Sequence, residues 1–346
     1  MGECWPRQIA GLAMVALASP AMAASAVEDF YRGKTLTIVV GSTPGGGYDN
    51  YARLLARHLG PHIPGNPAVS VQNMPGASTS VAAVYMYNVA PRDGLSMVAV
   101  TAGALMEPLL GDQVQSRINP QKFNYIGSAT TDVYVCVARR DSGVRKFEDV
   151  LQRELVVGAA AEGGSARDFP QLLNRAIGAK FKIISGYPGN RETTLAVDRG
   201  EVSGVCGNSF GGLHALRPEW FAADSPVNVI VQESMTGHPE LNQRGVPLAI
   251  SYAKSDEQRS MLQLLYGELL FSRPFAMPPD TPSERVVAIR RAVADSFADP
   301  ELLADAQKVN LEVVEPASGS EVQSIIARLY ATDPDIVART RAALKQ

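Results

Sequence analysis

Short β-branched runs alternate along this chain with stretches whose apolar residues recur every three or four positions. Those two periods in alternation predict an α/β protein whose helices cross between strands of a largely parallel sheet. The first run, 36–40, is apolar throughout, as a strand buried on both faces should be. It ends in Gly41-Ser42-Thr43-Pro44-Gly45-Gly46-Gly47, and a helix then starts near Asp49 with Tyr51, Leu54, Leu55, His58 and Leu59 on one face. A second strand over 68–72 runs into Asn73-Met74-Pro75-Gly76-Ala77-Ser78-Thr79. The helix after it carries Val81, Val84, Tyr85 and Asn88, and a third strand covers 96–101. The pattern restarts near Asp132, with strands predicted over 133–138, 155–159, 181–184, 202–206, 227–231 and 247–251, and helices over 166–177 and 191–199. Helical periodicity dominates the remainder, over 256–266, 283–298, 300–307, 319–330 and 335–344. Two parallel α/β units with no low-complexity linker predict two lobes facing a cleft, a favoured place for a ligand.

The N-terminus alters the picture of where the chain works. Arg7 precedes a short apolar run from Ile9 to Ala18, and Ala21-Met22-Ala23 offers small residues where a signal peptidase reads. A membrane-spanning helix needs roughly 20 apolar residues, about twice this run, so residues 1–23 are read as a cleaved signal peptide. Cys4 lies ahead of the run, where no lipid-attachment signal would place it. Cleavage removes one acid, Glu3, and one base, Arg7, so the net charge of -3 is unchanged. That charge, with no basic stripe, excludes the electrostatic footprint of a nucleic-acid binder or of an anionic-membrane binder. The composition, 46% apolar and 19% charged, supports ample core, and about 320 residues exceed what one core usually supports. An oxidising compartment permits a disulfide between Cys136 and Cys206. Both cysteines lie in apolar strand-like stretches, however, and buried unpaired thiols are the preferred expectation.

Three glycines between a buried strand and a helix, Gly45, Gly46 and Gly47, leave backbone amides free to form a concave anion nest, reinforced by the helix N-terminus. A dinucleotide fingerprint fails here: position 50 is Asn50 where a small residue is required, and Gln72 and Asn73 replace the ribose-binding acid. Gly76, Ala77, Ser78 and Thr79 form a second loop of the same kind, and such loops lie together at the carboxyl ends of parallel strands. Ser78 or Thr79 can cap the next helix or donate to a ligand oxygen. Gly164 and Ser165, within the loop 158–168, then Tyr187, and finally Asn208 mark comparable strand ends in the second unit. Asp49 is expected to cap its helix; facing a ligand, its charge would repel a carboxylate unless water or an amine lay between. Motifs for zinc, thiol, serine-nucleophile and phosphate-loop chemistry are missing from the sequence, so the chain is read as non-catalytic, with no metal and no cofactor. His58 and His62 have metal-compatible spacing, but Gly60-Pro61 should end the helix between them.

Taken together, these segments resemble the Bug-type periplasmic substrate-binding proteins of tripartite tricarboxylate transporters. The resemblance runs from about Phe30 to the C-terminus. It rests on 30–40, on Pro44-Gly45-Gly46-Gly47-Tyr48-Asp49 with Ala52-Arg53, on Asn73-Met74-Pro75-Gly76-Ala77, on Asn88-Val89-Ala90-Pro91-Arg92-Asp93-Gly94 and on Gly200-Glu201-Val202. It implies a two-lobed periplasmic-binding-protein fold with a ligand cleft between the lobes, the chain crossing twice and the C-terminal helices returning to the first lobe. On this chain that means 24–130 plus 251–346 as lobe 1 and 131–250 as lobe 2. It further implies that Gly45, Gly46, Gly47, Asp49, Gly76, Ala77 and Ser78 grip a ligand carboxylate, largely through backbone amides and water, and that Gly164, Ser165 and Tyr187 close over its distal end. Tyr48, Met74 and Ala161-Glu162 depart from the family pattern and leave the distal chemistry open. The implied role is a periplasmic protein, monomeric by default, that captures a di-, tri- or aromatic carboxylate by lobe closure and delivers it to membrane transporter subunits. A ligand sensor for a membrane receptor, or a secreted enzyme acting on a carboxylic acid, are the rival readings.

Overall fold

The computed structural model describes residues 20–111, 117–160 and 164–345. Most of the expected signal peptide, and Ala161, Glu162 and Gly163, lie outside the described residues. Helix α1 (Pro20–Tyr31) leads into β1 (Thr35–Val40), α2 (Gly47–Leu59), β2 (Ala68–Asn73), α3 (Ser80–Asn88), β3 (Ser96–Ala99), α4 (Ala102–Leu110) and β4 (Asn124–Ser128). A second run follows: β5 (Tyr134–Arg139), α5 (Phe147–Val150), β6 (Leu155–Ala159), α6 (Ser165–Ile177), β7 (Phe181–Ser185), α7 (Asn190–Asp198), β8 (Gly204–Ser209), α8 (Phe210–Leu216), β9 (Val227–Glu233) and α9 (Pro239–Gln243). The chain ends with α10 (Asp256–Tyr266), β10 (Pro274–Met277), α11 (Ser283–Ala298), α12 (Pro300–Lys308), β11 (Ala317–Ser318), α13 (Gly319–Tyr330) and α14 (Pro334–Lys345).

Two sheets result, one ordered β11-β4-β10-β3-β1-β2 and the other β7-β6-β8-β5-β9. The expected α/β class with two sheet-bearing units is what the chain builds, but neither sheet is wholly parallel. β1 pairs parallel with β2 and β3, whereas β10 runs antiparallel between β3 and β4. β6 pairs parallel with β7 and β8, whereas β5 runs antiparallel to β8 and β9. β11 also runs antiparallel to β4, at the edge of the first sheet.

Each sheet is covered on both faces. Alternate residues of β1 go to opposite sides: Leu36, Ile38 and Val40 pack with Leu54, Leu55 and Ile289, while Val39 packs with Ala83, Met86 and Leu105. In the second sheet Cys136 and Ala138 face Phe169, Leu172 and Tyr266, and Val135 and Val137 face Val205 and Trp220. Burial on two faces is why the β-branched runs show no polar alternation, and each such side chain contributes roughly 1.5–3 kcal/mol. Helices α10 and α14 pack against the second sheet through Leu262, Leu265 and Leu344, while Val337 of α14 belongs to a core of the first.

Several local expectations are corrected. The strand predicted over 247–251 is a 3-10 turn, Ala249–Tyr252, attached by one parallel bridge between Gln232 and Leu248. α3 buries Ala82, Ala83 and Met86, with Val81 left 44% exposed, because small residues let the helix lie close to the sheet. β4 and β10 are too short, at 5 and 4 residues, to stand out as periodic runs. Cys136 and Cys206 are joined in a disulfide between the adjacent strands β5 and β8, not free thiols. Apolar surroundings had no bearing on pairing; the antiparallel alignment that brings them side by side is a property of the sheet. The bond closes a loop with a sequence separation of 70, for which the chain-entropy estimate is about 4 kcal/mol. Cys136→Ala with Cys206→Ala should therefore lower the unfolding free energy by about that amount in a denaturant titration, while the denatured native protein should show no thiol reactivity at these two positions.

Candidate functional site

The carboxyl ends of β1, β2 and β3 are tied level with one another. The Gly41 amide donates to the Ala99 carbonyl (3.0 Å) and the Met74 amide to the Val40 carbonyl (2.8 Å). Gly41 is glycine because a Cβ there would fall 2.4 Å from Thr79 Cβ. This approach brings the two glycine-bearing loops of the first sheet together.

The first loop is organised around Asp49, which is 1% exposed. Its Oδ2 accepts from the Gly45 amide (2.8 Å) and from Arg53 Nε (2.8 Å), and its Oδ1 accepts from Asn73 Nδ2 (2.8 Å). Asn73 also donates to the Ser42 carbonyl (2.9 Å) and accepts from Arg53 Nη2 (3.0 Å). Burial by itself would raise the Asp49 pKa, but the bonds from Arg53, Gly45 and Asn73 outweigh it and hold the carboxyl below its usual range. The expected N-cap role is corrected: Gly46 is the N-cap, without a side-chain bond to the helix, and Asp49 lies in the first turn, facing back into the loop. From the third helical position the carboxylate reaches back past the cap to the Gly45 amide, which a reading that starts the helix at Asp49 misses. The amides of Gly47, Tyr48 and Asp49 are left without acceptors inside the helix, as at any helix start. Gly45 and Gly47 are exposed, and Gly45 has φ +79°.

The second loop is held in an unusual backbone path. Gly76 has φ 145°, and Ala77, Ser78 and Thr79 follow at 44°, 49° and 76°. Left-handed conformations at three consecutive residues with side chains, one of them β-branched, cost of order 1–3 kcal/mol each and persist only where the surroundings impose them. Thr101 imposes this one. Its amide donates to Thr79 Oγ1 (3.0 Å), its hydroxyl donates to the Ser78 carbonyl (3.1 Å), and the same hydroxyl caps α4 by accepting from the Ala104 amide (3.1 Å). The α3 N-terminus behind the loop has no side-chain cap. Gly76, Ala77 and Ser78 are exposed while Thr79 is buried, so Thr79 shapes the loop from within.

In the second sheet, Gly164 is the N-cap of α6, again without a side-chain bond. Ser165 Oγ donates to the Gly207 carbonyl (2.7 Å), and a Cβ at Gly207 would lie 2.0 Å from the Ser165 carbonyl oxygen. The Gly207 amide in turn donates to buried Glu233 (2.6 Å), whose carboxyl burial pushes up to about 8 despite that bond. Tyr187 donates its amide to the Ala159 carbonyl (3.2 Å) and lays its ring against Gly158. Asn208, expected to offer a side-chain amide, points inward: it is 1% exposed and donates to the Cys206 carbonyl (2.8 Å).

Between the two sets of loops lies a group that sequence reasoning did not single out. The Arg273 guanidinium stands 4.7 Å from the Tyr48 ring centroid and 5.5 Å from that of Tyr51, with Asp132 Oδ2 at 3.7 Å. Ser209 donates to Asp132 (2.7 Å), and the Tyr48 hydroxyl donates to the Ser272 carbonyl (2.8 Å). Burial raises the Asp132 carboxyl against the pull of Arg273 and Ser209, and pushes the Tyr51 hydroxyl up to about 12. Glu268 lies in the same region; burial and the nearby Asp168 push its carboxyl up to about 8. These residues come from segments far apart in the chain, and no local spacing signals them; only Thr101, a threonine ahead of a helix, carried a readable cap signal.

Two pockets, one including Asn174, Arg175 and Lys180 and another Ser255, Gln258 and Arg339, are lined by other residues than these loops. Among the described residues no helix is long and apolar enough to cross a membrane.

No protein-family model matches the chain, and no curated protein matches its sequence. Solved structures do match in fold. A TctC solute-binding protein from Polaromonas, without ligand, is 18% identical and superposes with a TM-score of 0.68 over 91% of this chain and 99% of its own. The periplasmic binding protein BugD is 19% identical, with a TM-score of 0.62 over 90% and 98%. MatC from Rhodopseudomonas palustris, with bound malate, is 18% identical, with a TM-score of 0.58 over 90% and 99%. These neighbours are binding proteins, and the two-lobed periplasmic-binding-protein fold expected from the sequence is theirs and this chain's alike.

Two measurements test the loop architecture. Asp49→Asn should cost about 2 kcal/mol by weakening charge-assisted bonds. Because the folded-state pKa is depressed, that stabilisation is present above the ordinary carboxyl value of 3.8 and is lost as pH falls through the lower folded value. The gap between wild type and Asp49→Asn should therefore close only below about pH 4; an unchanged gap in acid would disprove the assignment. Thr101→Val, which removes the hydroxyl bonds to Ser78 and Ala104, should lower stability by about 1–3 kcal/mol and speed amide exchange across 76–80.

Proposed function

We propose that this chain is a periplasmic solute-binding protein of the tripartite tricarboxylate transporter type, which captures a small carboxylate-bearing molecule without turning it over and hands it to membrane transporter subunits. The observation that carries this reading is the pairing of two side-chain-uncapped helix starts, at Gly46–Gly47 and Thr79–Ser80, beside one another at the ends of β1 and β2, each preceded by exposed loop residues, Gly45 in one and Gly76, Ala77 and Ser78 in the other. Backbone amides and helix N-termini concentrated at one point favour an anion. They orient on an oxygen without carrying net charge, which permits release. The fold shared with TctC, BugD and malate-bound MatC supports the same reading.

In this reading Gly45, Gly46, Gly47, Gly76, Ala77 and Ser78 hold the carboxylate, with Asp49 and Thr79 as positioning residues behind them. Gly164, Ser165 and Tyr187 approach from the second lobe, and Asn208 supports that loop from within. Lobe 1 comprises 24–130 and 251–346 and lobe 2 comprises 131–250, with α10 and α14 reaching across to the second sheet. Closure turns about the two crossing segments, and the closed form is the one the transporter recognises. The leader at 1–23 places the mature protein in the periplasm.

A thermal-unfolding panel of mono-, di-, tri- and aromatic carboxylates tests this. A true ligand at about a hundred times its Kd adds roughly 2.7 kcal/mol, a rise of several degrees in Tm at this size. Gly46→Val, whose Cβ would meet the Thr43 carbonyl at 3.2 Å, should abolish the rise while leaving far-UV dichroism intact. A rise that survives Gly46→Val would remove this loop from the site.

A further inference from the structure

Within the second sheet, beneath its loops, three potential metal ligands face one point. Val135 of β5 pairs with Asn208 of β8 and Val137 with Val205, so Cys206 and Gly207 together stand opposite Cys136. Such a bulge, here with Gly207 at φ +63°, re-aims the side chains around it. On β9, Glu233 lies two residues beyond Val231, the partner of Cys136, and so shares its face of the sheet. A Glu233 carboxyl oxygen and the two cysteine sulfurs lie within 4.8 Å of one another, and all three residues are fully buried. Glu233 Oε2 accepts from the Gly207 amide (2.6 Å), whereas Oε1 has no hydrogen-bond partner among the described residues. Asn208 donates to the Cys206 carbonyl (2.8 Å) and leaves its own Oδ1 buried and unsatisfied.

A buried carboxyl with an orphaned oxygen is costly, and the disulfide beside it has no proton to donate. Opened to thiols, the same residues supply two sulfurs and one oxygen. Tetrahedral zinc, with bonds of about 2.3 Å to sulfur and about 2.1 Å to oxygen, sets its ligand atoms roughly 3.5–3.8 Å apart. That spacing falls within the observed 4.8 Å. The Gly207 amide already orients the carboxyl from behind, as outer partners of metal ligands do. Two thiolates and a carboxylate would also neutralise a divalent ion that no other buried environment could hold cheaply. We propose that Cys136, Cys206 and Glu233 form a redox-gated site for a thiophilic divalent cation such as zinc, closed by the disulfide and opened by its reduction. A dithiol reductant supplies two electrons and two protons: its own sulfurs join, and Cys136 and Cys206 become thiols. Binding one ion forms two metal–sulfur bonds and one metal–oxygen bond and releases the thiol protons, with that of Glu233 where the carboxyl is neutral. Water completes the fourth position. Either state staples β5 to β8, the disulfide under oxidising conditions and the ion under reducing ones.

The experiment compares the mature chain in its oxidised and reduced forms. Each is denatured, the reductant is removed without air, and the chain is refolded in zinc or in magnesium, so that burial does not bar entry. After desalting, the reduced chain should retain one zinc ion per molecule and no magnesium, and the oxidised chain should retain neither. X-ray absorption at the zinc edge should count two sulfur ligands, the remainder being oxygen. In competition with a chromogenic chelator, Glu233→Gln should weaken zinc binding to the reduced chain about tenfold or more. A reduced wild type that retains no zinc overturns the proposal, as does equal retention by the oxidised chain or fewer than two sulfur ligands. An unchanged zinc affinity in Glu233→Gln overturns it as well, because two sulfurs then suffice. The wild-type retention and ligand count decide even where the variant does not fold.

Discussion

Two segments of chain pass between the sheets, and they hold one another. The Ala129 amide donates to the Arg273 carbonyl (3.2 Å), the Ser272 amide to the Thr130 carbonyl (3.2 Å) and the Asp132 amide to the Leu269 carbonyl (2.9 Å). Arg273 then returns a guanidinium to Asp132, and Tyr48 from the first helix start reaches the Ser272 carbonyl. A paired double connection is stiff along its length and soft in bending. The pairing is one of the ties that relate the loops at the ends of β1 and β2 to those at the ends of β6 and β8.

Against that frame the first-sheet loops are rigid, and their rigidity is made by side chains that do not face the cleft. Asp49 spends its oxygens on Gly45, Arg53 and Asn73, and Thr101 on Thr79, Ser78 and Ala104. The strained left-handed path from Ala77 to Thr79 exists because Thr101 and the close contact at Gly41 leave it no alternative. Backbone amides are thereby fixed in advance, and donors held in this way need no reordering when an acceptor arrives.

The electrostatics of the two ends differ. The glycine loops offer dipoles and no net charge, while the region around the crossover holds real charges that are nearly, but not wholly, matched. C-terminal helix α14 extends this coupling by touching both sides: Arg341 donates to the Leu109 carbonyl (2.6 Å) beneath α4, and Arg167 of α6 donates to the Leu344 carbonyl. The helices that carry the loops of opposite lobes thus lean on one strap.

By itself the sequence determined the local structure. Period-two and period-3.6 patterning placed β1, α2, β6, α6 and the C-terminal helices, because burial of a strand or helix face is a local property written residue by residue. The glycine loops at Gly45–Gly47 and Gly76–Thr79 were legible for the same reason: turn chemistry depends on near neighbours. What only the tertiary structure decided were relations between distant segments. The antiparallel places of β5 and β10, the disulfide between Cys136 and Cys206, the inward turn of Asn208, the use of Asp49 as a loop anchor in place of a cap, and the meeting of Asp132, Glu268 and Arg273 each join residues whose partners lie on other strands or helices. A buried charge is defined by what surrounds it in space, and one sequence read along its length carries no distance between those surroundings.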